Sequence, residues 1–148
     1  LSILFIFYLT IFIKISPYQY TYINAFNGKF SNNITKFEND YWGLSLKKLI
    51  KTFDNKYDFK EDKNYKIAFC GVGLDSVRYY LDKIDKLNYT EVHNHSKYDF
   101  IIMTNLLNGD KYSLPVDVKS FFKEFKGKDL FSVERMNLKL SVIRSHNY

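Results

Sequence analysis

The sequence predicts an apolar membrane helix followed by a small layered α/β (or α+β) domain that closes with a β-hairpin. Three observations predict it. The residues from Leu1 to Ile15 are almost wholly apolar, strand-like and helix-like patterns alternate through the second half, and two period-two runs flank a turn near the carboxyl end.

The opening run, LSILFIFYLTIFIKI, is broken only by Ser2, Thr10 and Lys14 and so has no polar face for water. As a helix it spans roughly 22 Å at 1.5 Å per residue, against a bilayer core of about 30 Å. The expectation is that residues 1–16 are the end of a last transmembrane helix, cut short upstream. The first residue is Leu1 rather than Met, in keeping with a longer reading frame or a cleavage. A signal peptide would need a basic start and a small-residue cleavage site, and Ser16-Pro17-Tyr18-Gln19-Tyr20 provides no such site. A buried core helix is the alternative. Tyr18, Tyr20 and Tyr22 favour the membrane, because tyrosine rings collect at the lipid–water boundary.

Residues 17–43 are polar, aromatic and asparagine-rich, with a turn at Asn27-Gly28, and read as a segment along the membrane surface. Residues 44–148 are long enough for one soluble domain with a modest core. In it, Leu46, Leu49, Ile50 and Phe53 recur at helical spacing, which predicts an amphipathic helix over 44–53. DNKYDFKEDKN reads as a charged, solvated linker. Lys66–Cys70 reads as a buried strand ending at Gly71-Val72-Gly73. A helix should follow, capped by Asp75 or Ser76 and carrying Leu74, Val77, Leu81 and Ile84 on one side. Strands are expected at Tyr89–His93 and Tyr98–Thr104. Pro115 suits the first turn of a helix running through Phe125. The alternation on both sides of Met136-Asn137 predicts the terminal hairpin.

Composition narrows the function classes. With 46% hydrophobic and 19% aromatic residues the chain is not disordered. The net charge of +6 comes mainly from lysines scattered among Asp and Glu, not gathered in a stripe, so nucleic acid is not an expected partner. AT-rich coding DNA also yields chains rich in Lys, Asn, Ile, Tyr and Phe. Cys70 is the only cysteine, which excludes an intrachain disulfide.

Three constellations bear on chemistry. FCGVGLDS places a glycine turn between a strand and a helix, where backbone amides can approach a phosphate, and Glu91 lies about where a ribose-binding acid would fall. The third glycine of that motif is missing and Glu91 reads as mid-strand, so no cofactor is assigned. His93, His95 and Cys70 can be drawn as metal ligands, but no fourth ligand has a standard spacing, and no metal is assigned. Glu38 and Asp40 form a carboxylate pair before Tyr41-Trp42-Gly43. Such a pair can serve as base and metal ligand, or can be the acidic start of the 44–53 helix, where anions complement the helix dipole. Trp42 would then be an interfacial anchor or a core plug.

Two boxes carry a resemblance. Ser16-Pro17-Tyr18-Gln19-Tyr20-x-Tyr22-x-Asn24 and Phe37-Glu38-x-Asp40-Tyr41-Trp42-Gly43-Leu44-Ser45 resemble the last part of bacterial polytopic membrane glycosyltransferases of the GT-C type. These are similar to the dolichyl-phosphate-mannose protein mannosyltransferases. SVERMNLKLSVIR resembles the closing hairpin of their small terminal domain, except that a glycine usual at the turn is replaced around Met136-Asn137.

The resemblance implies transfer of a sugar from a polyprenyl-phosphate donor, with the bilayer and that donor as partners. The catalytic acid would lie in an early external loop outside these residues, so no catalytic residue is carried over, and whether the full enzyme uses a divalent metal stays open. Tyr18, Gln19, Tyr20, Tyr22, Asn24, Glu38, Asp40, Tyr41 and Trp42 would border the donor or acceptor site, or dock the soluble domain on the membrane portion. The expected location is the bacterial inner membrane with the soluble domain on the periplasmic side. Lys14 and the lysine-rich domain favour the cytoplasm by the positive-inside tendency, which weakens for long domains. Two other readings stand beside this one: a non-catalytic binding module on a single membrane anchor, and a small nucleotide- or S-adenosylmethionine-binding enzyme.

Overall fold

The computed structural model describes residues 2–16, 43–71, 73–93, 96–105, 107–108, 119–135 and 137–146. The apolar run forms α1 (Ser2–Ile15). Its side chains are mostly exposed, Ile3 to 84% and Phe5 to 67%, while Ile11 packs against the domain core. Among the described residues no helix is long and apolar enough to cross a membrane by itself.

The domain is a mixed α/β fold. Its helices and strands after α1 run α2 (Leu46–Lys56), β1 (Asn64–Cys70), α3 (Leu74–Leu81), β2 (Asn88–Val92), β3 (Phe100–Thr104), β4 (Leu107–Asn108), β5 (Lys119–Ser120), α4 (Phe121–Glu124), β6 (Lys128–Arg135) and β7 (Leu138–Ser145). Five strands form one sheet in the order β2-β1-β3-β7-β6, and β4 with β5 forms a separate two-stranded ladder. β1 lies parallel to β2 and β3, whereas β7 runs antiparallel to both β3 and β6.

Helical periodicity places α2 on the sheet. Leu46, Leu49, Ile50 and Phe53 are its buried residues, each worth about 1.5–3 kcal/mol of apolar burial. The helix runs three residues beyond the predicted Phe53. The stretch read as a solvated linker is partly core. Phe59 is buried, and its ring meets those of Phe53, Tyr57 and Tyr65 in edge-on or tilted contacts at 4.9–5.8 Å. Charged neighbours hide Tyr57 and Phe59 from a composition-based reading.

α3 begins after Gly73, which takes a left-handed conformation at the N-cap, so neither Asp75 nor Ser76 caps it. Its Val77 and Leu81 are buried on the side of the sheet that α2 covers, and Ile84 joins them just past the helix end. A second cluster, including Ala68, Cys70, Ile101, Met103, Phe125 and Val142, fills the far face. Helix is described only over Phe121–Glu124 where a longer one through Phe125 was expected, and Pro115 lies outside the described residues. The terminal hairpin forms as expected, with Asn137 at φ 63° beside its turn.

Among its described residues the parallel connection from β2 to β3 carries no helix. Such crossovers ordinarily take a dozen residues or more. Here β2 ends opposite Ala68 while β3 begins opposite Ile67, so the strands are staggered and the step between them need not run back along the sheet.

Asp99 anchors that step. Its backbone N–H donates to the Lys66 carbonyl (2.8 Å), and its carboxylate accepts from the Lys66 N–H (2.9 Å) and the Lys63 ammonium (2.8 Å). Burial opposes the charge, but the Lys63 and Lys66 bonds outweigh it and hold the carboxyl below its ordinary 3.8. A depressed carboxyl stabilises the fold above its unfolded value, and that contribution disappears as pH falls through the folded value. Asp99→Ala is therefore expected to cost about 2 kcal/mol at neutral pH, with a smaller loss below pH 4, as read by urea unfolding at the two pH values. An equal loss at both would assign Asp99 no electrostatic part.

Candidate functional site

The carboxyl ends of β1 and β3 meet where the strand order changes direction, the position at which open α/β sheets carry their ligand crevices. β1 ends in Cys70 and turns through Gly71, at φ 109°, toward Gly73. Gly71 lies so close to β3 that a Cβ there would collide with the Thr104 hydroxyl. Gly71 thus serves the close approach of the turn to β3, with or without a ligand.

Four buried polar residues converge on this end: Ser45, Thr104, Asn105 and Ser141. Thr104 pairs with Ser141 across β3 and β7. The Ser45 hydroxyl donates to that of Ser141 at 2.6 Å, joining positions 96 residues apart. The Asn105 N–H donates to the Leu140 carbonyl at 2.8 Å, while neither polar atom of its side chain has a hydrogen-bond partner among the described residues. Sequence reading missed all four as a group. The available signal was a polar Thr104-Asn105 pair closing an apolar strand, and a serine as the last residue of the second box.

Gly43, Leu44 and Ser45 are the only members of that box within the described residues. Gly43 and Ser45 are buried and Leu44 is 55% exposed, so the chain arriving from Trp42 enters the domain at this end of the sheet. Tyr18, Gln19, Tyr20, Tyr22, Asn24, Glu38, Asp40, Tyr41 and Trp42 lie outside the described residues. No family model, curated protein or solved structure matches the chain.

Glu91 is the penultimate residue of β2, nearer the strand end than the sequence suggested. Its carboxylate is engaged. Arg78 donates from Nε and Nη2 to its two oxygens at 2.8 Å each, and from Nη1 to Asp75 at 2.8 Å. The Arg78 bond holds the Glu91 carboxyl below its ordinary value and raises the guanidinium's own. An acid already held by a forked guanidinium is poorly placed to take ribose hydroxyls.

Cys70 is buried in the far-face core, His93 follows β2, and His95 lies outside the described residues. Among the described residues no three of His, Cys, Asp and Glu converge as a metal site.

An open cleft of about 600 Å³ lies at the opposite, amino end of β1 and β2, lined by Glu61, Asp62, Asn64 and Asn88 among others. Its wall is held by the Tyr89 phenol, which donates to Asp82 at 2.7 Å. Burial and that bond push the phenol up to about 12, so it stays protonated as a donor at neutral pH.

Proposed function

We propose that this chain is the carboxy-terminal part of an integral-membrane glycosyltransferase that uses a polyprenyl-phosphate-linked sugar, and that residues 44–148 form its accessory extracytoplasmic domain. The junction at Ser45 carries the reading. The last residue of the Asp-Tyr-Trp-Gly box segment is buried and hydrogen-bonded to Ser141 in the terminal hairpin, so the second box segment and the closing hairpin, two of the three parts that resemble the family, are in direct contact. α1 supports it as well, because its exposed apolar side chains suit lipid or neighbouring helices better than water. The domain's own task on this reading is to seat the box segment against the membrane portion, while the catalytic acid belongs to an external loop nearer the start of the protein.

Two measurements test the proposal. The reading frame upstream of Leu1 should encode many hydrophobic spans with an acidic first external loop. A start codon within a few dozen residues would leave a singly anchored binding module instead. In the full-length enzyme, Trp42→Ala and Asp40→Ala are expected to lower sugar transfer or assembly by roughly tenfold or more, as for residues that position substrate. Transfer and expression at wild-type levels in both would make the box dispensable.

A further inference from the structure

α2 and α3 form the layer on one side of the sheet, and between them lies a shallow groove of about 250 Å³. Its floor is apolar, made by Ile50, Tyr80 and Ile84, and three ammonium groups, Lys47, Lys51 and Lys83, rim it against one carboxylate, Asp54. Tyr79 stands beside it, 56% exposed, with the Lys83 ammonium 3.9 Å from its ring centroid and donating to its phenol at 2.6 Å. Lys83 and, more weakly, Lys47 hold that phenol below its ordinary value, which reports a positive local potential. Leu44, before α2, and Leu74, at the start of α3, are also exposed large apolar residues.

We propose that this lysine-rimmed helical face seats on the anionic phospholipid headgroups of a bilayer. The proposal rests on the membrane part of the functional reading above and names the surface that meets the lipid. Lysines around an exposed tyrosine are the mixture that interfaces of anionic membranes attract, with phosphate at the ammonium groups and the ring at the upper acyl region. The position of α1 agrees. Ile11 packs on the core cluster beneath α2 and α3, not on the far-face cluster, so the apolar helix and the lysine face belong to the same side of the sheet.

The test uses the whole chain in nanodiscs of phosphatidylcholine, alone or mixed with phosphatidylglycerol, with lysine acetylation followed residue by residue by mass spectrometry. Lys47, Lys51 and Lys83 should react roughly threefold or more slowly in the anionic discs, and high salt should abolish the difference. Lys97 and Lys126, beside Tyr98 and Phe125 of the far-face core, should react equally in both. Lys48, exposed between Lys47 and Lys51, should share the protection and lose it in a K47E/K51E/K83E chain whose circular dichroism is unchanged.

Equal rates in the two kinds of disc would overturn the proposal. So would slowing by inorganic phosphate in neutral discs, which marks a free-anion site, or slowing that depends on protein concentration, which marks a second copy. The upstream reading frame separates the two ideas: protection with a single-span frame removes the glycosyltransferase and keeps the docking face, and no protection with a many-span frame does the reverse.

Discussion

Gly71→Ala is expected to destabilise the domain by about 3–5 kcal/mol, because a φ of 109° strains any side chain and the added methyl has nowhere to go. The alanine Cβ would collide with the Thr104 hydroxyl and sit 3.2–3.3 Å from the Thr104 Cβ and backbone N. The two contributions are separable. In a Thr104→Ala background the collision with the hydroxyl is relieved but the backbone strain remains, so Gly71→Ala should then cost about 1–3 kcal/mol. Urea unfolding of the four chains in detergent, followed by near-ultraviolet circular dichroism of the core tyrosines, measures both values. A Gly71→Ala midpoint close to that of the wild type would mean that β1 and β3 do not approach so closely at this turn.

Arg144→Met should cost about 2–4 kcal/mol, since it removes a buried charge and leaves its acceptors behind. Arg144 is 9% exposed on the far face of the sheet. Its Nε donates to Asp129 at 2.6 Å, and its Nη1 donates to the Phe122 carbonyl at 2.9 Å and to that of Phe125. One guanidinium thus ties α4 to the terminal hairpin. Lys139 also donates to Asp129, at 2.6 Å, so the carboxylate keeps one cation in the variant. Arg144→Lys should recover part of the loss, because an ammonium can pair with Asp129 but lacks the fork that also meets the carbonyls.

The same pair predicts acid sensitivity. Burial works against the Asp129 charge, yet Arg144 and Lys139 together hold its carboxyl below the ordinary 3.8. Its stabilising contribution is present above that value and fades as pH falls through the folded one. The wild-type chain should therefore lose stability more steeply than Arg144→Met as pH drops below about 4. Parallel pH profiles would assign the arginine a packing role alone.

Much of the secondary structure was legible because it rests on period. The spacing of Leu46, Leu49, Ile50 and Phe53 marks α2, and the alternation around Asn137 marks β6 and β7. Local pattern does not encode which strands become neighbours. The hairpin turn makes β6 a neighbour of β7, but nothing in the residues of β7 states that β3 lies on its other side, and that part of the sheet order follows from long-range pairing. Arg144 was illegible for a related reason: in a period-two run a charged residue reads as solvent-facing, and only α4 folding over it makes the site interior.

The candidate site divides in the same way. The glycine turn after β1 was visible in the sequence, together with the weakness of its cofactor motif, and the Glu91–Arg78 ion pair adds a physical reason against ribose binding. The cluster of Ser45, Thr104, Asn105 and Ser141 was not visible, because its members come from three separate parts of the chain. The box residues from Tyr18 to Trp42 lie outside the described residues, and their role is the business of the mutants proposed above.

The place of β7 has a bearing on biosynthesis. Among the described residues it is the last strand in sequence order and yet an interior one, hydrogen-bonded to β3 on one side and β6 on the other. A polypeptide emerging in order from the ribosome can assemble β1, β2 and β3 with α2 and α3, but β6 must wait for β7, its one neighbour among the described strands. Until β7 appears, the exposed edge of β3 is open to pairing with a foreign strand. The domain therefore completes itself in one late, non-local step. A nonsense codon just before β7 would remove the middle of the sheet, not a dispensable tail.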